Sequence, residues 1–145
     1  MANVISNVFK DELLKGNHDF DGGATYKLAL YTSSKTVAAS DPTAYNTTNQ
    51  VANGNGYTTG GATLANPSVT GGSSASTAFV DFDDVSFTSA SFTARFAQIY
   101  RSDGSAPTNN SVLVLDFGGD FTATNGTFTI QFPAADTSNA VLRLA

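Results

Sequence analysis

The chain contains no cysteine and no tryptophan, and a single histidine. Without cysteine, disulfides and thiolate chemistry are excluded, and the composition fits a reducing compartment. Charge is also scarce. Asp, Glu, Lys and Arg make up 13% of the residues, about half the usual share. The surface must then be covered by Thr, Ser, Asn and Gly, which desolvate easily and suit packing against like or unlike subunits. What charge there is sums to −5. A phosphate backbone is repelled by such a surface, which argues against a nucleic-acid partner. No apolar run approaches the roughly 20 residues that span a bilayer, so no membrane partner is expected. The opening residues carry no signal-peptide pattern, because Val4, Ile5, Val8 and Phe9 are interrupted by polar residues. Synthesis in, and use from, the cytoplasm is the expectation.

What remains is enough for a core. At 145 residues, with 41% hydrophobic and 11% aromatic content, the chain has the size of one domain, residues 1–145. A chain of this length buries roughly 68–70% of its unfolded surface and needs no metal or disulfide to fold.

The apolar residues Val4, Ile5, Val8, Phe9, Leu13 and Leu14 fall on one helical stripe. They predict a helical arm over 4–15, capped by Asn3 and ended by Gly16. Its stripe must dock, either on the chain's own sheet or on a neighbouring subunit. A strand follows over Ala24–Thr32. Residues 33–75 form a long polar excursion with apolar anchors at Val37, Tyr45, Val51, Tyr57, Leu64 and Val69, and short strands near 57–65 and 67–70. The spacing of the anchors predicts an ordered loop lying over a surface.

The second half reads as strand after strand. Ala78–Phe82 and Val85–Phe87 are separated by Asp83-Asp84, and Ser91–Tyr100 leads to a turn at Arg101-Ser102-Asp103-Gly104. Val112–Phe117 is a continuous apolar run, as in a strand buried on both faces, and Gly118-Gly119 breaks it. Asn125-Gly126 reads as a two-residue hairpin turn, pairing Thr124 with Thr127, Ala123 with Phe128 and Phe121 with Ile130. One face would hold Phe121, Ala123, Phe128 and Ile130; the other would be Thr122, Thr124, Thr127 and Thr129. Pro133 ends this strand, Asp136–Asn139 turns, and Val141–Leu144 is the last strand. Seven or eight short strands and no βαβ pattern give an all-β fold with one short N-terminal helix. The architecture is an antiparallel β-sandwich, jelly-roll-like or immunoglobulin-like.

No catalytic, cofactor-binding or metal residue is assigned. His18 with Asp19 and Asp21 offers a metal three ligands, but the stretch reads first as a polar turn after the helix. Asp81, Asp83 and Asp84, with Asp41, Asp116 or Asp120, are candidate calcium oxygens. The plainer reading is solvated carboxylates that blunt a strand edge. No serine sits in a G-x-S-x-G elbow, and Gly54, Gly56, Gly60 and Gly61 lack the ending of a phosphate loop. Glu12, the one glutamate, is expected to be exposed on the helix. Arg95 alternates with Phe92, Ala94 and Phe96 and can pair with an aspartate within or between subunits.

Four strings occur in order: Asn7-Val8-Phe9-Lys10-Asp11-Glu12-Leu13-Leu14-Lys15-Gly16-Asn17-His18-Asp19-Phe20, Lys27-Leu28-Ala29-Leu30-Tyr31-Thr32, Gly54-Asn55-Gly56-Tyr57-Thr58-Thr59-Gly60-Gly61, and Phe128-Thr129-Ile130-Gln131-Phe132-Pro133-Ala134-Ala135-Asp136. Together they resemble a family of small β-rich virion structural proteins of tailed bacteriophages, of the head decoration or cement type. The resemblance implies a non-enzymatic virion component, made in the host cytoplasm. Such a protein sits on the head as a homotrimer and bridges major capsid protein subunits. It carries over no binding residue. Two other roles stay open: a tail, fibre or connector component, and a carbohydrate-binding β-sandwich using Tyr31, Tyr45, Tyr57 and Tyr100. The lack of tryptophan, the commonest sugar-stacking ring, weakens the last.

Overall fold

The computed structural model describes residues 3–40, 43–71, 76–103 and 109–145. The helix is shorter than the stripe predicts. Val4–Ile5 form strand β1, which pairs antiparallel with Val114 and Leu113. Helix α1 therefore begins at Asn7 and runs to Leu14, with Ser6 and not Asn3 at its N-cap. The Ser6 hydroxyl does not cap the helix; it donates to Ser111 Oγ at 2.7 Å. Gly16 ends the turn as expected, with φ of +73°. Phe9 is buried against His18 and Phe20, so the helix docks on the chain's own core, while Leu14 is left 91% exposed.

The strands form two antiparallel sheets. The larger is ordered β1-β7-β6-β2-β3, with β2 at Tyr26–Tyr31, β3 at Ala62–Thr63, β6 at Val85–Arg101 and β7 at Ser111–Ile130. The smaller is ordered β4-β5-β8, with β4 at Ser68–Thr70, β5 at Ala78–Asp81 and β8 at Leu142–Leu144. One buried cluster joins them, from Leu28 and Leu30 through Phe87 and Ile99 to Val80 and Leu142. This is the all-β, two-sheet arrangement that the pattern predicts. No helix among the described residues is long and apolar enough to cross a membrane.

The polar excursion has a structural task. Its anchors Val51, Tyr57 and Leu64 are buried in the main core. Val37 and Tyr45 instead cover the opposite face of the large sheet, over Ala29, Tyr31, Phe96, Tyr100 and Val114. Tyr45 stacks on Tyr100 with ring centres 4.4 Å apart, and Tyr31 donates to the Asn46 carbonyl at 2.7 Å. This end of the sheet is thus covered twice. That explains why Leu28–Tyr31, Phe96–Tyr100 and Ser111–Val114 are buried without alternation.

Three corrections concern the second half. Val85–Phe87 and Ser91–Tyr100 belong to one strand, β6, and residues 111–130 form one strand, β7. Asn125-Gly126 is not a hairpin turn. Ala123 faces Phe92, Phe128 faces Phe87, Ile130 faces Val85 and Phe121 faces Ala94, all on β6. Gly118-Gly119 does not end the strand either. Between the pairs Ala94–Phe121 and Phe96–Asp116 the register shifts, and Gly118, at φ of +84°, lies in the bulge. The β6–β7 connection does fall after Arg101, but Gly104 of the predicted Asp103-Gly104 turn lies outside the described residues.

Candidate functional site

Among the described residues, β7 has a strand neighbour on one side only beyond its short pairing with β1. β1 meets it at Leu113 and Val114, and among the described residues no strand lies along its outer edge from Leu115 to Ile130. The backbone of an open edge offers unpaired N–H and C=O groups to another strand.

The side chains here differ from those elsewhere. Neither Val85–Ala94 on β6 nor the stretch from Phe121 to Ala135 contains a charged residue. The outer face is a sheet of hydroxyls: Thr93 Oγ1 lies 2.7 Å from Thr122 Oγ1, and Ser86 Oγ lies 2.9 Å from Thr129 Oγ1. Thr124 and Thr127 are exposed beside them. The inner face is apolar and incompletely covered. Phe121 is 53% exposed, with Phe117 edge-on to it at 6.3 Å. A groove of about 660 Å³ runs along this margin, lined among others by Phe117, Phe121, Phe128, Phe132 and Pro133. An uncharged edge with hydroxyls on one side and rings on the other is suited to receiving an extended chain.

The residues singled out for chemistry lie elsewhere. His18 sits where the segment after α1 meets β2. Its Nε2 is 3.0 Å from Glu12 Oε2 and its Nδ1 is 3.1 Å from the Tyr26 hydroxyl. Both ring nitrogens are therefore engaged, while Asp19 and Asp21 are exposed. Burial lowers the His18 pKa against the opposing pull of Glu12. Burial likewise pushes the Tyr26 phenol up to about 12. Glu12 is not exposed as expected: it is 6% accessible, held by His18 and by Asn110 Nδ2, which donates to Oε1. A carboxylate with these partners can be buried where an unpartnered one cannot.

Asp83 and Asp84 connect β5 to β6, and each carboxylate accepts a hydrogen bond there. Asp83 accepts from Asn66 Nδ2, and Asp84 Oδ1 accepts from the Phe132 N–H at 2.9 Å. Among the described residues no three His, Asp or Glu side chains converge as metal ligands; Asp41 lies outside them. Arg95 Nε is 3.4 Å from Asp116 Oδ1, so the guanidinium finds its aspartate within the chain, across β6 and β7.

The four tyrosines do not form an exposed platform. Tyr31, Tyr57 and Tyr100 are buried, and Tyr45 is half-buried against Tyr100. Burial pushes the Tyr57 phenol up to about 12 and the Tyr31 and Tyr100 phenols higher still.

The open edge of β7 escapes a reading of motifs, because it is a relation between strands. The signal available in the sequence is the pair of charge-free stretches, 85–94 and 121–135. No family model, curated protein or solved structure matches the chain.

Proposed function

We propose that this protein is a non-enzymatic structural component of a tailed-phage particle, a head decoration protein that bridges major capsid protein subunits. The observation that carries the reading is the uncharged outer margin of β6 and β7, with its open edge and apolar groove. A decoration protein needs contact area and no chemistry. It stabilises the assembled shell by binding it in preference to free subunits. Low charge lowers the desolvation penalty at each of many repeated contacts. The homotrimer and the virion location belong to the same proposal, and the resemblance of the four strings supports them.

Immunogold labelling of particles from the source lysate, viewed in negative stain, tests the location. Gold over the heads is the expected result. Gold confined to tails would replace decoration by a tail, fibre or connector role. Particles without gold, in a lysate where the protein is detected by blot, would overturn an accessible virion component. The carbohydrate reading receives no support from the buried tyrosines.

A further inference from the structure

We infer that the open edge of β7 pairs antiparallel with the same edge of a second copy of this chain, across a molecular twofold. The inference rests on the reading of the β6–β7 margin as a docking surface and names its occupant. Charge selects the partner. A chain of net charge −5 repels its own copies wherever charged surfaces meet. It can approach itself over a surface that carries none, and the margin formed by 85–94 and 121–135 is such a surface. A basic partner would meet carboxylates only at the ends of this margin, Asp116 in the groove and Asp84 beside Phe132. An antiparallel strand edge is also complementary to itself, as an isologous contact requires.

The position of the twofold follows from what interrupts the edge. Towards Asp116 it is broken by the bulge around Gly118 and by the charge of Asp120. In the middle Asn125 bulges, at φ of +48°. Bulges and charges are the usual guards of a free edge. Past Asn125 no such guard remains until Pro133, leaving Gly126–Ile130 as the open run. A twofold at Phe128 sets Thr127 of one copy against Thr129 of the other on the hydroxyl face, a favourable cross-strand pair. Counted past the Asn125 bulge, Phe132 then comes beside Ala123 of the other copy, over the groove. A threefold contact elsewhere on the chain is compatible with this one, since each protomer uses the edge once.

Light scattering on the eluting full-length protein, over a range of concentrations, reads the stoichiometry. Two chains are expected, or six where a threefold contact also forms. A monomer or an isolated trimer at every concentration would overturn the inference. The variant T127D/T129D puts like charges face to face and should halve the mass. T127K/T129K should do the same, and mixing the two variants should restore the pair as a heterodimer. S68D/T70D, on the exposed β4 edge, should keep the wild-type mass. Wild-type mass in both β7 variants, or no re-pairing on mixing when each variant retains its β circular dichroism, would overturn the inference. Sedimentation with phage particles separates the two readings: particle binding by a protein that remains monomeric removes the second copy and leaves docking in place.

Discussion

Glu12 Oε2 and His18 Nε2 lie 3.0 Å apart, and the His18 side chain is inaccessible to solvent. Tyr26 completes the line: with Nε2 donating to the Glu12 carboxylate, Nδ1 of the neutral ring accepts from the Tyr26 hydroxyl at 3.1 Å. The pattern requires the tautomer with its proton on Nε2, donating to Glu12, so the imidazole is fully bonded while neutral.

Protonating that ring would leave a new Nδ1–H facing the Tyr26 hydroxyl in a buried place. Burial accordingly holds the folded-state pKa below the ordinary value of 6.5. The folded chain then takes up a proton less readily than the unfolded one. Stability is full above about pH 6.5, falls as the pH drops towards the folded pKa, and levels off below it. Asp116 and Asp136 are both held below their usual range, so their losses come at lower pH, under about 3.9. Urea unfolding at about pH 7.5 and about pH 5 should show this drop in the wild type, and H18Q should flatten it. Equal stability of the wild type at both values would refute the account.

Gly61 and Gly54 both have positive φ, +79° and +104°, but only one is crowded. A Cβ on Gly61 would fall 1.9 Å from the Leu28 carbonyl oxygen, whereas one on Gly54 would meet nothing within 4 Å. G54A therefore bears the backbone strain alone, about 1–2 kcal/mol. G61A adds a clash with β2 and should lose about 2–4 kcal/mol in all. Thermal melts of the two variants rank them, and a Gly61 variant as stable as the Gly54 one would contradict the close approach.

Tyr57 ties the excursion to the large sheet through its hydroxyl. That oxygen accepts from the Leu30 N–H at 3.0 Å and from Gln50 Nε2 at 2.9 Å. Y57F keeps the ring against Phe87 and Phe92 but orphans a buried backbone donor, which costs about 1–3 kcal/mol. Chemical denaturation should show that loss, and amide exchange at Leu30 should accelerate. Unchanged exchange there would mean that another acceptor serves this donor.

The threonine face shows what a pattern of residues can and cannot specify. Thr122, Thr124, Thr127 and Thr129 are exposed, while Phe128 and Ile130 are buried, as the alternation predicts. The cause differs from the one that the alternation suggests. A two-residue turn between Thr124 and Thr127 puts both on one face, because the chain doubles back. A one-residue bulge does the same within a continuous strand, because it shifts the alternation by one. Asn-Gly serves either, since both need positive φ. The choice belongs to β6, whose own bulge near Ser89, at φ of +52°, restores the register after Asn125. Glu12 was hidden for a similar reason. Its burial depends on His18 and on Asn110, which is remote in sequence.

The paired bulges give the sharpest test of the continuous strand. Ser91 Oγ accepts from the Asn125 N–H at 2.9 Å and donates to Asn125 Oδ1 at 3.2 Å. It fastens the β7 bulge to β6. If Asn125-Gly126 closed a hairpin of its own, Ser91 would have no part in it. S91A should therefore destabilise the protein by about 1–2 kcal/mol, although the site is not deeply buried. N125V forces a β-branched residue into positive φ and should lose at least about 1–2 kcal/mol. N125G relieves the backbone but gives up the side-chain bond, so it should fall between the wild type and N125V. In the double variant S91A/N125G the two losses should be less than additive, because both remove the same contact. Strict additivity in a double-mutant cycle, measured by denaturant unfolding, would uncouple the residues and return Asn125-Gly126 to the role of a local turn.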